Sequence, residues 1–280
     1  QIIGGRLEGK CLLLYGLTSF VVAPMNSYIT SVRGKWSVAR ALTLVSAMFN
    51  LGAVLGPWIG GVLGDRLGLP AVYKIAAVLF FISTVIVLFV RRAPKESHPA
   101  ETAHTGHLLR NTRYLGLLAL CFMVMFATYL PQPLTPNYLQ NVKGFSLSQI
   151  GQLGSLGSLG NAVIMLVLGS LTAPLGFVVG QALVACFAAL MWLGTGQVWF
   201  SLGYFFIGGY RLCRSMALAL TRPLVRGSET GLAYGLIETA NALAVAAAPG
   251  VAGLLYARSP EWIFSAALVF IAISAGISLV

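Results

Sequence analysis

The stretch WFSLGYFFIGGYRLCRSMALALTRPL, residues 199–224, is apolar enough for a lipid bilayer, yet it carries Arg211 and Arg214 near its middle. A helix of this length crosses a hydrocarbon core of about 30 Å, because each residue adds about 1.5 Å. An ionisable residue inside such a helix costs at least about 2.5–3.5 kcal/mol, so it generally faces a cavity or a partner. The stretch therefore predicts a membrane helix that lines an internal polar site.

The rest of the chain has the same character. Of its 280 residues, 58% are hydrophobic and 9% are charged, whereas a soluble domain carries about a quarter charged residues. The apolar runs lack the alternation of barrel strands, so helices are the structure that satisfies their backbone in lipid. We predict an all-α polytopic membrane protein with about nine transmembrane helices, at 11–32, 38–64, 69–90, 114–134, 146–171, 174–196, 198–221, 230–256 and 261–280.

The formal charge of +11 does not favour a nucleic-acid partner, because the basic residues are spread over many short loops. Membrane orientation explains them better. One side receives ten of them: Arg33, Lys35, Arg40, Arg91, Arg92, Lys95, Arg110, Arg113, Arg222 and Arg226. The other side receives six: Arg6, Lys10, Arg66, Lys74, Lys143 and Arg258. The first side is predicted to be cytoplasmic, with the polar loop 91–113, in a multi-pass protein of the plasma (inner) membrane.

Little in the sequence favours metal or catalytic chemistry. The four cysteines lie in apolar runs without a C-x-x-C pair or a neighbouring His, as expected of core residues: Cys11, Cys121, Cys186 and Cys213. No predicted span contains His or Asp, which an intramembrane enzyme would need as metal ligands or paired acids. We therefore expect no enzyme, no catalytic residues and no metal site.

Weak internal similarity indicates a duplicated unit. SVRGKWSVARAL (31–42) aligns with LVRGSETGLAYG (224–235), and GPWIGGVLGDR (56–66) aligns with APGVAGLLYAR (248–258) at nearly the same offset. The second and third spans would then correspond to the eighth and ninth. This predicts a two-fold repeated six-helix bundle whose first three helices are missing, so that the chain is expected to be a fragment.

NLGAVLGPWIGG, residues 50–61, resembles the G-x-x-x-G-P-x-x-G-G motif of the fifth helix in exporters of the major facilitator superfamily. The matching residues are Gly52, Gly56, Pro57, Gly60 and Gly61, and an upstream glycine of the longer motif is replaced by Thr43. Small residues let two helices touch backbone to backbone, and the proline permits a bend.

The resemblance covers nearly the whole chain as helices four to twelve. It implies an incomplete N-terminal half (1–90), a cytoplasmic linker (91–113) and a C-terminal six-helix half (114–280) around a cavity open alternately to either side. No cofactor is implied. GVLGDRLG (61–68) resembles a loop motif of the same family, but that register would place the basic 91–113 loop outside, so Asp65 and Arg66 are assigned to an outer loop.

Three ionisable residues lie deep in predicted spans: Arg211, Arg214 and Glu238. Counted from the cytoplasmic ends, Arg214 lies roughly 13 Å deep, Glu238 roughly 11 Å and Arg211 roughly 18 Å. An Arg214–Glu238 ion pair would leave Arg211 free to bind a carboxylate or phosphate with two parallel hydrogen bonds. The alternative is that both arginines snorkel to the surface or pair with missing helices.

Glu238 lies on a polar stripe with Tyr234 and Asn241. It is either the partner of Arg214 or a carrier of coupled protons. These two roles compete, because burial raises the pKa of a carboxyl group whereas a bound arginine lowers it. Further substrate-binding candidates are Asn26, Tyr129 and Gln132; for TYLPQPLTPNYL (128–139), proline kinks are the plain alternative.

QIGQLGSLGSLGNA (149–162) repeats every three residues, with glycines on one edge and Gln152, Ser155, Ser158 and Asn161 on another. Close helix packing is the first interpretation of this run, and a cavity lining is the second. Together these features predict a secondary active transporter, an exporter of a small organic solute that is anionic or amphipathic. The alternative is a membrane sensor that binds its ligand on a transporter fold without moving it.

Overall fold

The computed structural model describes residues 38–89, 110–226 and 229–279. Within these ranges every regular element is a helix, as the composition predicts. The predicted span 11–32, which contains Asn26, lies outside the described residues, as does most of the loop 91–113.

Contacts between residues divide the chain into two compact units. The first comprises 1–52 with 76–99, and the second comprises 53–75 with 100–280. The described part of the first unit is helical and strongly apolar, and Phe80 and Phe81 in it are largely exposed.

From residue 38 onward, two long helices precede the polar loop: α1, Val38–Leu67, and α2, Leu69–Leu88. Gly68 separates them with a φ of +80°, a backbone conformation that favours glycine. α1 continues past the predicted span end at residue 64 and therefore includes Asp65 and Arg66. α2 has a mean hydropathy of 2.3 and no buried residue, which suits a helix facing hydrocarbon.

Eight further helices follow the loop in the second unit. They are α3 (Thr112–Tyr129), α4 (Thr135–Asn141), α5 (Leu147–Leu168), α6 (Ala173–Leu193), α7 (Gln197–Phe206), α8 (Gly209–Thr221), α9 (Thr230–Arg258) and α10 (Trp262–Ser278). A short 3₁₀ turn, Arg222–Leu224, follows α8.

Two spans predicted to be continuous helices are each interrupted in the structure. The span 114–134 ends at Tyr129, and the proline-rich turn that follows leads into the short helix α4. The span 198–221 is broken into α7 and α8 at Ile207 and Gly208. The break coincides with a close approach of Gly208 to α5, where a Cβ at Gly208 would lie 3.0 Å from the Cα of Asn161. The break thus lies where a glycine packs closely against a neighbouring helix.

Two buried clusters form the core of the second unit. One contains the large aromatic residues Phe187, Phe200 and Phe264, with Tyr138 packed edge-on against Phe264. The other joins α3 to α9, where the Tyr114 hydroxyl donates to the carbonyl of Ala233 at 2.9 Å. These clusters hold α3, α6, α8, α9 and α10 together around the site described below.

The outer surface of the described chain is apolar. Five helices are long and apolar enough to cross a membrane: α2, α3, α5, α6 and α9. α10 is a shorter apolar helix. Exposed side chains such as Leu166, Val198 and Leu254 point outward without protein neighbours to cover them, and hydrocarbon is the solvent that suits them.

A buried polar bridge joins α6 to α10. Ser274 donates to Oε1 of Gln181 at 2.7 Å, and Nε2 of Gln181 donates to the Ser278 hydroxyl at 3.1 Å. Gln181 and Ser274 are fully buried. In apolar surroundings an unsatisfied amide is costly, so this bridge fixes how the two helices pair.

Candidate functional site

The site is organised around the arginine helix α8 and its partner α9. Nε of Arg214 donates to both carboxylate oxygens of Glu238, at 3.2 Å and 3.1 Å, and Nη2 donates to Oε2 at 2.6 Å. The equal depth of the two residues predicts this ion pair, and the contact is present. Both side chains keep substantial exposure, 46% and 36%, so the pair faces an open space.

A second polar contact lies one helical turn away on the same two helices. Tyr210 precedes Arg214 by four residues and Asn241 follows Glu238 by three, so both pairs share facing stripes. The Tyr210 hydroxyl donates to Oδ1 of Asn241 at 2.8 Å. Two side-chain contacts therefore fix α8 against α9 at the level of the site.

The open space is a cavity of about 320 Å³. Its walls come from the end of α3, the middle of α5, and both pieces of the broken span. The lining residues are Tyr129, Gln132, Gly154, Gly157, Ser158, Asn161, Tyr204, Ile207, Tyr210, Arg211 and Arg214. This volume lies at the lower end of the range of small-molecule sites, about 300–1,000 Å³.

Arg211 lines this cavity and is exposed there. None of the acidic residues in the described ranges forms an ion pair with it, since Glu238 is joined to Arg214. A guanidinium in this setting presents its fork of N–H donors to the cavity, and a planar anion such as a carboxylate matches that fork.

The aromatic wall of the cavity lies beside Arg211. The rings of Tyr129 and Tyr210 are 5.5 Å apart between centroids and tilted by 49°. Tyr204 and Ile207 add apolar surface from the broken span. Gln132 is oriented by a hydrogen bond from its Nε2 to the carbonyl of Thr128 at 2.8 Å.

The glycine run of α5 serves packing and lining together. Gly157 and Gly160 lie against α7, and a Cβ at Gly160 would clash with the backbone of Phe205. Ser158 and Asn161 meanwhile line the cavity. The Oδ1 atom of Asn161 is buried and has no hydrogen-bond donor among the described residues.

Near its N-terminus, α5 forms a close contact with α1, which we call the glycine joint (Pro57, Gly61, Leu147 and Gly151). A Cβ at Gly61 would lie 2.5 Å from the carbonyl oxygen of Leu147, and one at Gly151 would clash with the carbonyl of Pro57. Of the predicted packing motif, Pro57 and Gly61 make this contact. Gly52, Gly56 and Gly60 have open space on the described side, since a Cβ there meets no atom within 4 Å.

Asp65 adds a polar clamp to the glycine joint. Its two carboxylate oxygens accept from successive amides of α5, Leu147 at 2.9 Å and Ser148 at 2.8 Å. Hydrogen bonds from Ser148 hold the pKa of the Asp65 carboxyl below its usual value, with the hydroxyl contributing most and the backbone amide next. The negative charge also suits the positive end of the helix dipole.

The structure brings together four of the predicted substrate-binding residues, Tyr129, Gln132, Arg211 and Arg214. Glu238 and Asn241 contact the cavity through Arg214 and Tyr210. Asn26 lies outside the described residues.

Sequence reasoning missed three lining residues, Tyr204, Ile207 and Tyr210. The spacing of Tyr210, four residues before Arg214 and directly before Arg211, is the signal that points to it. Within the described ranges, no three His, Cys, Asp or Glu side chains lie close enough to hold a metal ion.

Comparison with known families identifies the fold. The model of the Major Facilitator Superfamily matches residues 11–213, more than half of the chain. The chain belongs to the Major Facilitator Superfamily. Members of this family are transporters and not enzymes. The match runs from the first predicted span into the arginine helix, so it includes the glycine joint and most of the cavity.

One curated relative within the superfamily is Multidrug resistance protein MdtG from Enterobacter lignolyticus (strain SCF1). It is 27% identical over 136 residues, which covers 47% of this chain. The matched region spans 32% of that relative, so the chain covers about a third of its length.

Proposed function

We propose that this chain is a secondary active transporter that exports a small organic solute with an anionic group. The observation that carries the proposal is the cavity beside Arg211, whose guanidinium has no acidic partner among the described residues. Membership of the superfamily and similarity to a multidrug resistance protein support transport and efflux.

In this proposal the polar residues have separate roles. Arg211 binds the anionic group of the solute, while Glu238 holds Arg214 and Asn241 holds Tyr210 in position. Tyr129 and Gln132 form the wall that contacts the rest of the solute. Asn26 is proposed to contribute from the first predicted span.

Alternating access is proposed to come from rocking of two helical halves, residues 1–90 and 114–280, joined by the linker 91–113. The glycine joint is a contact between α1 of the first half and α5 of the second half, so it must change when the halves move. α5 also forms part of the cavity wall. A displacement at one end of α5 would therefore reach the other.

Coupled protons are a further part of the proposal. Glu238 is the acidic residue beside the cavity, and its bond to Arg214 competes with proton uptake. If protons are coupled, the transport rate should change between about pH 5 and pH 8. A rate that is flat over this range would leave Glu238 the role of ion-pair partner alone.

The proposed location is the plasma (inner) membrane, with the loop 91–113 in the cytoplasm. The excess of Lys and Arg on that side supports this orientation. A single cysteine introduced at Ser97 of a cysteine-free variant should react with an impermeant reagent in inside-out vesicles and not in intact cells.

The deciding experiment measures accumulation of organic anions in sealed vesicles that contain the purified chain. Arg211→Gln should reduce the rate at least about tenfold, because charge-assisted hydrogen bonds to the anion contribute roughly 1.5–3 kcal/mol. Arg258→Gln is the matched control: it removes one arginine from the exposed end of α9 and should transport normally.

Both variants should insert into the membrane in equal amounts. A fully active Arg211→Gln variant would refute the role of Arg211. Binding of the anion without accumulation would favour the sensor alternative.

A further inference from the structure

The cavity has a charge balance that restricts its ligand. Arg211 and Arg214 each contribute one positive charge, and Glu238 contributes one negative charge. Glu238 engages both Nε and Nη2 of Arg214, so the pair is neutral as a unit. The described wall therefore presents one uncompensated positive charge, at Arg211.

The position of that charge matters as much as its size. Arg211 directly follows Tyr210 in the chain, and the Tyr210 ring faces the ring of Tyr129 at a centroid distance of 5.5 Å. The hydrogen bond to Asn241 fixes the Tyr210 ring. A flat apolar body is thus accommodated next to the group that binds the anion, since ring faces favour offset or tilted contact with another ring.

The size of the cavity sets the third limit. The described cavity of about 320 Å³ is at the lower end of the range of small-molecule sites, which suits a ligand of one or two rings. A second anionic group would have to compete with Glu238 for Arg214, since Arg211 and Arg214 are the basic residues of the described wall.

We propose that the cavity selects aromatic monoanions, with a single carboxylate on Arg211 and the ring against Tyr129 and Tyr210. This proposal rests on the proposed function and narrows it, because it names the substrate class. Glu238 acts as the residue that sets the accepted charge: by neutralising Arg214 it excludes dianions. A neutral aromatic ligand leaves the Arg211 guanidinium without a counter-ion and binds weakly.

The test is equilibrium binding of four probes to the purified chain in vesicles of zwitterionic lipid. The probes are 2-naphthoate, naphthalene-2,3-dicarboxylate, 2-naphthylmethanol and cyclohexanecarboxylate. We expect 2-naphthoate to bind about tenfold or more tightly than the dianion and the neutral alcohol, as loss of a charge-assisted contact predicts. The non-aromatic acid should bind more weakly than 2-naphthoate.

Three variants change the charge balance in known steps. Glu238→Gln releases Arg214 and raises the net charge by one, so the preference for monoanion over dianion should fall about tenfold. Arg214→Gln leaves Glu238 to compensate Arg211, so binding of both anions should weaken. The double variant Arg214→Gln/Glu238→Gln restores one positive charge, and the monoanion preference should return.

If one of the single variants cannot be produced as folded protein, the double variant still allows the test to be decided. Wild-type protein that binds the alcohol as tightly as the acid, or a Glu238→Gln variant with unchanged preference, would overturn the proposal. Loss of 2-naphthoate binding when anionic lipid is added, at a salt concentration that screens the surface potential, would also overturn it, because a lipid headgroup would then be the occupant.

Binding and accumulation are measured separately, so the two proposals can fail separately. Selective binding without accumulation would remove the transport function and leave the charge selection standing. Accumulation of solutes regardless of their charge would remove the charge selection and leave the transport function standing.

Discussion

Helix α5 makes two different kinds of contact along its length, and the contrast between them separates stability from selectivity. At its N-terminus, Gly151 lies against the backbone of α1, and both Asp65 oxygens are bound to amides. One to two turns later, Gly157 again contacts a backbone, but Ser158 and Asn161 face an open cavity. The same three-residue spacing of glycine thus serves a closed joint in one place and a binding wall in the other.

The difference shows what each region tolerates. In the glycine joint the critical property is the lack of a side chain at the contact, so an added methyl group should lower the stability of the fold. In the cavity the critical property is the type of atom presented, so an isosteric change should alter binding while leaving the fold intact. Substitutions in the glycine joint should therefore mainly lower the unfolding temperature, whereas substitutions at the cavity wall in the middle of α5 should mainly alter ligand binding.

The largest effect on stability is expected from Gly151→Ala in the glycine joint. The added methyl group would clash with the Pro57 carbonyl, a backbone atom that cannot move aside. Overpacking costs about 1–3 kcal/mol, which exceeds the gain of up to about 1 kcal/mol in helix propensity. Thermal unfolding in detergent should show a clear decrease in Tm.

Two glycine controls sharpen this prediction. Gly116→Ala in α3 meets no atom within 4 Å and should leave the Tm unchanged or raise it. Gly154→Ala meets Pro57 side-chain atoms at 3.1 Å and should fall between the two. If Gly151→Ala unfolds at the temperature of Gly116→Ala, the joint is not as tight as described.

A smaller effect is expected from Tyr210→Phe in the cavity wall. The change removes the donor to Oδ1 of buried Asn241 and keeps the ring, so the loss of stability should be about 1 kcal/mol. Affinity for an aromatic anion should fall because the ring is no longer held. Unfolding and binding measured on the same preparation would check both parts.

Tyr256→Phe provides the matched tyrosine control, since its hydroxyl has no hydrogen bond to another described residue. It should change neither stability nor binding. Equal affinities in the Tyr210→Phe variant and the wild type would show that the Asn241 contact does not position the ring.

The smallest effect is expected at Asp65, which is exposed. A carboxyl whose pKa is lower in the folded state contributes stability above its ordinary pKa, and that contribution is lost as the pH falls through the lowered value. Wild-type Tm should therefore decrease on acidification below about pH 4 more steeply than the Tm of Asp65→Asn.

Glu261→Gln removes an exposed negative charge at the start of α10 and serves as the control. It should retain the acid sensitivity of the wild type. Parallel pH profiles for Asp65→Asn and the wild type would mean that the clamp contributes nothing measurable.

The sequence predicts the helical membrane fold and the chemistry of the central ion pair, because both follow from local rules. Hydropathy sets the helices, and the matched depths of Arg214 and Glu238 set the pair. The sequence does not predict the break between α7 and α8. The break coincides with the approach of Gly208 to Asn161, a contact between two elements that hydropathy along one run does not encode.

Asp65 illustrates a second limit of sequence reasoning. Its partners are backbone amides more than eighty residues away, and amides carry no residue signature. Tyr210 was within reach, since its spacing to Arg214 matches that of Asn241 to Glu238 on the facing helix. Packing motifs are only partly informative, because Gly61 touches α5 whereas Gly56 and Gly60 have open space on the described side.

The bridge from Gln181 to Ser274 and Ser278 has a mechanical consequence. Sliding α10 along α6 by one turn, about 5.4 Å, would break both hydrogen bonds between the helices and leave the buried Oε1 of Gln181 without its donor. The Gln181 amide nitrogen and the two serine hydroxyls would keep only the carbonyls of their own helices as partners. Neither helix can slide or rotate past the other without breaking these hydrogen bonds. We therefore expect α6 and α10 to stay paired during any conformational cycle, since separating them would leave a buried amide oxygen without a donor.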